Sequence, residues 1–167
     1  MKKLIVMVAA IFFTASISAF GTDSNSTSAP SRRINYQLNF TKIELSDDID
    51  LVLQESTKKF INVTGKEAYI DQVDWKIKDG VLYIRSKKGS LKDKVKVTVS
   101  VNHLKRLNIY GESVVNSIGE LNSTTLRVTI DGDSYVALKN SGAIYIMNSP
   151  DTKLDVHRLV GKVEVGG

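Results

Sequence analysis

The sequence contains no cysteine and only two histidines among its 167 residues. Without cysteine the chain has no disulfide framework, no thiolate ligand for a metal and no thiol for lipid attachment. His103 and His157 are far apart, and neither has a second histidine nearby, so we do not expect a zinc site. We therefore expect no metal and no cofactor. No serine lies in a G-x-S-x-G setting either, and Ser113 in "YGESVV" is not expected to be a nucleophile.

After its first 21 residues the sequence also lacks any window with a helical period. Short runs rich in Val, Ile, Thr and Tyr alternate between apolar and polar positions instead, which is typical of strands. In "KVKVTVSV", residues 94–101, four valines alternate with Lys, Thr and Ser. Asp79 and Gly80 separate two such runs, which is a strong hairpin signal. The chain is therefore predicted to be all-β.

The beginning of the chain differs in composition from the rest. Residues 1–21 combine two early lysines, an apolar run and a small-residue end, so they are predicted to be a signal peptide. Residues 22–34 are small and polar, which predicts a flexible tether, and residues 35–167 are assigned to one domain. Export without disulfides fits a bacterial envelope, and we expect the protein in the periplasm, on the outer surface or secreted.

The charge of the chain is only mildly basic. Its 23 basic and 18 acidic residues give a net charge of +5. Removal of residues 1–21 takes away two lysines and no acid, which lowers this charge to +3. A nucleic-acid binder usually concentrates a larger basic excess, so no nucleic acid is expected as a partner.

Two segments, 107–116 and 128–137, repeat each other at a spacing of 21 residues. An aliphatic residue, a glycine, an acid, a serine and a valine recur in one order, as Ile109, Gly111, Glu112, Ser113 and Val115 and then as Ile130, Gly132, Asp133, Ser134 and Val136. Such a period in β-favouring residues is typical of a β-solenoid, in which each coil stacks on the next. The glycines and serines are then structural corner residues, and the aliphatic residues form inward ladders.

The order of these segments resembles a known family. "FTKIELSDDIDLVLQ", "INVTG", "DGVLYIR" and "VKVTVSVNHLKRLNIYGESVV" together are similar to the auto-transporter adhesin head domain called the GIN domain, over residues 38–150. The resemblance implies an exported protein of Bacteroidetes type, a right-handed β-helix preceded here by N-terminal β-hairpins, and adhesion as a suggested role. It implies no catalytic residues.

The main charge feature is a basic stretch between residues 76 and 96. Its cations are Lys76, Lys78, Arg85, Lys87, Lys88, Lys92, Lys94 and Lys96, with Tyr83 beside them. An anionic glycan or headgroup could bind there, whereas the alternative is a solvated face whose lysines discourage edge pairing. Tyr110 and Tyr135 could stack on sugars or simply pack on strand faces.

Two groups of acids are candidates for chemistry. Glu112 and Asp133 occupy equivalent repeat positions, and as a carboxylate pair they could support acid–base catalysis or hold a cation, but solvated corner acids are favoured. Asp47, Asp48 and Asp50 lack the spacing of a calcium loop, so a turn between strands is favoured there.

These observations predict a non-catalytic envelope module that binds a glycan, a surface polymer or an envelope protein. The alternative from another class is a carbohydrate-active hydrolase or lyase on a β-helix scaffold. A third possibility is a homo-oligomer that pairs through the open end of the solenoid.

Overall fold

The structure, a computed structural model, describes residues 29–37, 39–89, 91–148, 155–160 and 163–166, the last two ranges as backbone only. The described chain is all-β apart from one helical turn, α1 (Glu67–Ile70). No helix among these residues is long and apolar enough to cross a membrane. The strands are β1 (Ser31–Asn35), β2 (Lys42–Ser46), β3 (Ile49–Glu55), β4 (Phe60–Thr64), β5 (Val73–Lys78), β6 (Val81–Ser86), β7 (Val95–Val101), β8 (Arg106–Tyr110), β9 (Val114–Ile118), β10 (Thr125–Asp131), β11 (Tyr135–Lys139), β12 (Ala143–Asn148), β13 (Asp155–Val160) and β14 (Val163–Gly166).

The strands form two mixed sheets. Sheet 1 has the order β1-β4-β7-β3-β9-β11-β13, and sheet 2 has the order β14-β12-β10-β8-β2-β6-β5. From β8 onward, successive strands alternate between the two sheets, and each pairs in parallel with the strand two positions along the chain. The antiparallel pairs are β1–β4, β4–β7 and β5–β6.

The core lies between the sheets and follows from strand alternation. Side chains of successive strand residues point to opposite faces, so the aliphatic positions of each strand face inward together. Leu45, Ile109 and Ile130 are fully buried and lie in register across β2, β8 and β10. In β7 all four valines are buried, as the alternation predicts. Ser100 of β7 is an exception, because its polar side chain is also buried.

The hairpin at Asp79 and Gly80 is confirmed: it joins β5 to β6, and both residues have positive φ. The predicted tether overlaps β1, since residues 31–34 are in that strand; residues 1–28, including the predicted signal peptide, lie outside the described residues. The sheets are open, with an edge strand on each side. The described strands therefore establish an all-β fold of two mixed sheets, and the right-handed β-helix stays a prediction.

The connections between sheets gather at two ends of the molecule. At the corner end, residues 47–48, 111–113 and 132–134 lead from sheet 2 into sheet 1. At the opposite end, residues 102–105 and 119–124 lead from sheet 1 back into sheet 2, and residues 56–59 join β3 to β4. Loops placed side by side in this way are common positions for binding residues.

Candidate functional site

The repeat residues lie at the corner end, in register as predicted. Ile109 pairs with Ile130 and Val115 with Val136. Gly111 and Gly132 stack there with positive φ, and a Cβ on Gly132 would lie 2.5 Å from the Gly111 carbonyl oxygen. Ser113 and Ser134 are buried at the same corners. The repeat therefore has a structural explanation in close backbone stacking.

The candidate acids lie at the same end. Glu112 and Asp133 are exposed at equivalent corners. Asp47 and Asp48 connect β2 to β3, which confirms the predicted turn, and Asp50 lies within β3. Within the described ranges, no three His, Cys, Asp or Glu residues are grouped so that they could hold a metal.

The predicted basic stretch is divided among separate surfaces. Lys76, Lys78 and Arg85 lie on the β5–β6 hairpin of sheet 2, whereas Lys96 lies on β7 of sheet 1. The remaining lysines, which are Lys87, Lys88, Lys92 and Lys94, lie in the connection between β6 and β7. These residues therefore do not form one face, because the chain changes sheets within the stretch.

Several of these cations have local partners. Arg85 pairs with Asp74 at 3.3 Å, and the Lys76 ammonium lies 5.3 Å from the centre of the Tyr83 ring. Lys87 and Lys94 donate to backbone carbonyls, those of Asp71 and Glu112 respectively. Their roles as binding residues stay a prediction.

A basic row crosses the outer face of sheet 2 instead. The strand register places four cations on one line across the strands, in the order Lys78, Lys42, Arg106 and Arg127, with Val81 between the first two. Tyr145 follows Arg127 in the same register. We call the four cations the basic row. Three of its members, Lys42, Arg106 and Arg127, lie outside the basic stretch 76–96.

No member of the basic row forms an ion pair with another described residue. The ion pairs in the described part of the chain join Arg32 to Asp71, Lys66 to Asp93 and Arg85 to Asp74. Neighbouring strands lie about 4.8 Å apart, so Lys42, Arg106 and Arg127 are adjacent like charges. Such pairs destabilise a sheet, which makes the row a candidate site for an anion.

Three adjoining cavities lie at the end opposite the corners. Their volumes are about 610, 440 and 360 Å³. The first and second share Tyr36, Thr57 and Lys59, and the second and third share His103 and Lys105. The cavities are therefore neighbours along one end of the molecule, and together we call them the end groove.

The lining of the end groove combines cations and polar side chains with apolar surface. Its cations and its histidine are Arg33, Lys58, Lys59, Lys105, Arg127 and His103. Among the described residues, no aspartate or glutamate lines any of the three cavities. Arg127 belongs both to the groove and to the basic row, so the two surfaces meet at this residue.

Tyr36 is held in place between the first two cavities. Its hydroxyl donates to the Ser100 carbonyl oxygen at 2.8 Å, and its ring lies 5.5 Å from that of Phe40. Burial raises the pKa of the Tyr36 phenol above its ordinary value, against the smaller, lowering effect of the side-chain hydrogen bond with Ser100. The Ser100 carbonyl, together with the Ser100 hydroxyl at 3.2 Å, thus holds the Tyr36 hydroxyl in position.

The third cavity has a rigid wall. The imidazole Nδ1 of His103 lies 2.6 Å from the Asn122 carbonyl oxygen, and His103 has a positive φ of 53°. The buried amide of Asn140 accepts from the Ser123 N–H at 3.0 Å and donates to the Ser123 carbonyl at 2.8 Å. These bonds hold the 119–124 connection against its neighbours.

The end groove is not recognisable in the sequence. Its residues come from β1 and from connections that are distant in sequence, so no short window contains them. A usable signal was present in the dipeptides Lys58-Lys59 and Lys105-Arg106, since each stands at the break between two predicted strands.

Comparison with solved structures shows the same fold in other bacterial proteins. One neighbour, from Parabacteroides distasonis, is described as a "putative adhesin"; it has 15% identity and a TM-score of 0.51, and the match covers 81% of this chain and 76% of that one. Another, from the same organism, is described as a "putative lipid binding protein", with 16% identity, a TM-score of 0.55 and coverage of 84% and 61%. The chain thus spans less than two thirds of the second neighbour.

No curated protein matches the chain. A family model described as "Putative auto-transporter adhesin, head GIN domain" matches residues 39–156, which is most of the sequence. The chain therefore belongs to this GIN-domain adhesin family.

Proposed function

We propose that this protein is an exported, surface-associated module of adhesin type that binds an anionic glycan or surface polymer without catalysis. The observation that carries the proposal is the basic row of Lys78, Lys42, Arg106 and Arg127, which lacks ion pairs within the described structure. Export is supported by the signal-peptide pattern of residues 1–21 and by membership of the adhesin family.

The energetics of the basic row favour a polymer as its ligand. Adjacent cations on parallel strands repel each other, and a ligand with repeated negative charges relieves this repulsion along the whole row. From Lys78 to Arg127 the row crosses four strand spacings, or about 19 Å. A single small anion would reach only part of that length.

A binding role accounts for the charged surfaces better than an enzymatic one. Glu112 and Asp133, the acid pair considered for catalysis, lie at the corner end, whereas the cavities lie at the opposite end. Among the described residues no carboxylate lines these cavities, and glycoside hydrolysis commonly uses a pair of them.

We also propose that the strands from β8 onward wind as a right-handed β-helix. The proposal is supported by their alternation between the two sheets and by their parallel pairing at a period of two strands. A crystal structure of the protein would test the handedness of these connections, and a left-handed crossover would contradict the proposal.

The proposed function is tested by binding to immobilised anionic and neutral polysaccharides. We expect the protein to bind polygalacturonate or a sulfated polysaccharide and not neutral dextran, with affinity that falls as salt is added, because exposed charges are screened. Lys78→Glu with Arg106→Glu should weaken this binding by about tenfold or more. The matched control is Lys87→Glu with Lys88→Glu, which makes the same change of charge away from the basic row.

Three results would contradict the proposal. The first is no binding by the wild-type protein to any anionic polymer. The second is equal loss of binding in the variant and its control, which would indicate a non-specific effect of net charge. The third is cleavage of a bound polymer, detected as new chain ends, which would establish the enzyme alternative.

A further inference from the structure

We infer that the end groove is a second binding site, which accepts a short acidic oligosaccharide: a few linked sugar units that carry carboxylate or sulfate groups. The inference rests on the proposed function in taking an anionic glycan as the ligand. It goes further by assigning a separate, concave site to a segment of that glycan.

The shape of the groove suits a linear ligand. Its three cavities follow one another through shared lining residues, and each lies within the range of about 300–1,000 Å³ that is usual for ligand pockets. A compact ligand would fill one of them. A chain of sugar units would occupy successive cavities and would contact Lys59 and Lys105, which each line two of them.

The charge of the groove selects an acidic ligand. At least one cation lines every cavity, and these lining cations have no carboxylate partner among the described residues. The Lys59 ammonium donates to the Gln37 carbonyl at 3.0 Å, which holds it at the rim of the first cavity. Hydrogen bonds from a cation to a carboxylate or sulfate are stronger than those between neutral groups.

The neutral part of the lining suits sugar rings. Hydroxyl and amide side chains, which include Asn39, Thr41, Ser56 and Asn102, surround the second cavity and can exchange hydrogen bonds with sugar hydroxyls. Tyr36 offers a half-buried ring with an apolar face beside them.

The groove is also rigid in its third cavity, which lowers the entropic cost of binding. The Asn140–Ser123 hydrogen bonds fix one wall, and the buried Ser123 hydroxyl donates to the Leu104 carbonyl at 2.5 Å. His103 is anchored by Asn122 on the neighbouring connection.

The test is calorimetric titration of the full chain with three probes. These are oligogalacturonates of increasing length, their methyl esters, which keep the backbone but lose the charge, and a sulfated oligosaccharide. We expect an acidic probe to bind, with affinity that rises with length until the groove is filled, and the esters to bind at least about tenfold more weakly.

Matched variants locate the site. Lys59→Ala with Lys105→Ala should weaken binding of the acidic oligosaccharide by about tenfold or more, whereas Lys87→Ala with Lys88→Ala, the same change at the other end of the molecule, should have no effect. Both variants should have the same thermal unfolding temperature as the wild-type protein, which would show that they are folded. Equal affinity of the groove variant and the wild-type protein would overturn the inference, as would equal binding of acid and ester.

The two proposals fail in different ways. If polymers bind through the basic row but neither acidic oligosaccharide binds, the end groove is not a site and the proposed function stands. If the oligosaccharides bind and Lys78→Glu with Arg106→Glu leaves polymer binding unchanged, the basic row is not a site and the groove assignment stands. Lys78→Glu with Arg106→Glu separates these cases, since neither residue lines the groove.

Discussion

The Ser134 hydroxyl donates a hydrogen bond to the Gly111 carbonyl oxygen, at 2.7 Å, across the corners of two successive repeats. The same hydroxyl oxygen accepts the Ser113 N–H at 3.2 Å. One buried side chain therefore satisfies two backbone groups of the preceding corner, where strand pairing has stopped. Ser113 makes the same kind of bond one level lower, from its hydroxyl to the Asp47 carbonyl at 3.1 Å.

We predict that Ser134→Ala lowers the free energy of unfolding by about 1–3 kcal/mol, because the Gly111 carbonyl and the Ser113 N–H both lose a buried partner. Denaturant unfolding measures this. Ser141→Ala is the control, since Ser141 is exposed, and should change stability by less than about 0.5 kcal/mol. Equal effects of the two substitutions would show that the corner bond is not stabilising.

Gly132→Ala should be more damaging than the same substitution at Gly119. Both glycines have positive φ, but a Cβ on Gly132 would lie 2.5 Å from the Gly111 oxygen, whereas nothing lies within 4 Å of one on Gly119. We expect a loss of about 1–2 kcal/mol at Gly119 from backbone strain alone. At Gly132 the loss should exceed about 3 kcal/mol, since a steric clash is added to the strain. Thermal unfolding of the two variants side by side gives the comparison, and a smaller loss at Gly132 would contradict the close stacking.

Asn140→Ala is predicted to lower the free energy of unfolding. It should also loosen the 119–124 connection, which forms one wall of the end groove. The substitution leaves the backbone N–H and carbonyl of Ser123 without their partners, and we expect a loss of about 2–3 kcal/mol. Hydrogen exchange should rise first in residues 119–124. Asn116→Ala, on a half-exposed position of β9, is the control and should leave this exchange unchanged; slow exchange in both variants would argue against the role of Asn140.

Tyr36→Phe should alter the dependence of stability on alkaline pH. Because the pKa of Tyr36 is raised above the ordinary 10.0, the folded protein holds the phenol proton more tightly than the unfolded chain does. The contribution is constant below about pH 10 and is lost as the pH rises through the folded pKa. Near neutral pH the variant should be less stable by about 1 kcal/mol, for loss of the bond to Ser100, and this gap should narrow above pH 10. A constant gap in denaturant unfolding would contradict the prediction.

Features encoded by neighbouring residues were predictable from the sequence. The hairpin at Asp79-Gly80 depends on two residues that favour positive φ, and the 21-residue repeat depends on a corner too tight for a side chain. In both cases the physical cause lies within a short window. The inward valines of β7 follow from alternation for the same reason.

Features assembled from distant segments were not predictable. The segment 43–52 pairs in register with 107–116 as an earlier level of the same stack, but Asp47 takes the place of glycine and the spacing is 64 residues. The basic stretch 76–96 looked continuous, although the chain passes from sheet 2 to sheet 1 within it. The basic row and the end groove require the strand order, which alternation alone does not specify.

Strand β1 runs from Ser31 to the end groove, so a pull applied at both ends would act along the strand. Its Ser31 end pairs with Thr64, and the Pro30 carbonyl accepts the Gly65 N–H, while its other end, at Asn35, lines the end groove. Tension between the residues before Ala29 and a ligand held in the groove would therefore run along β1. Its hydrogen bonds to β4 would be sheared together and not opened one at a time, an arrangement that lets a bound module resist being pulled from its surface.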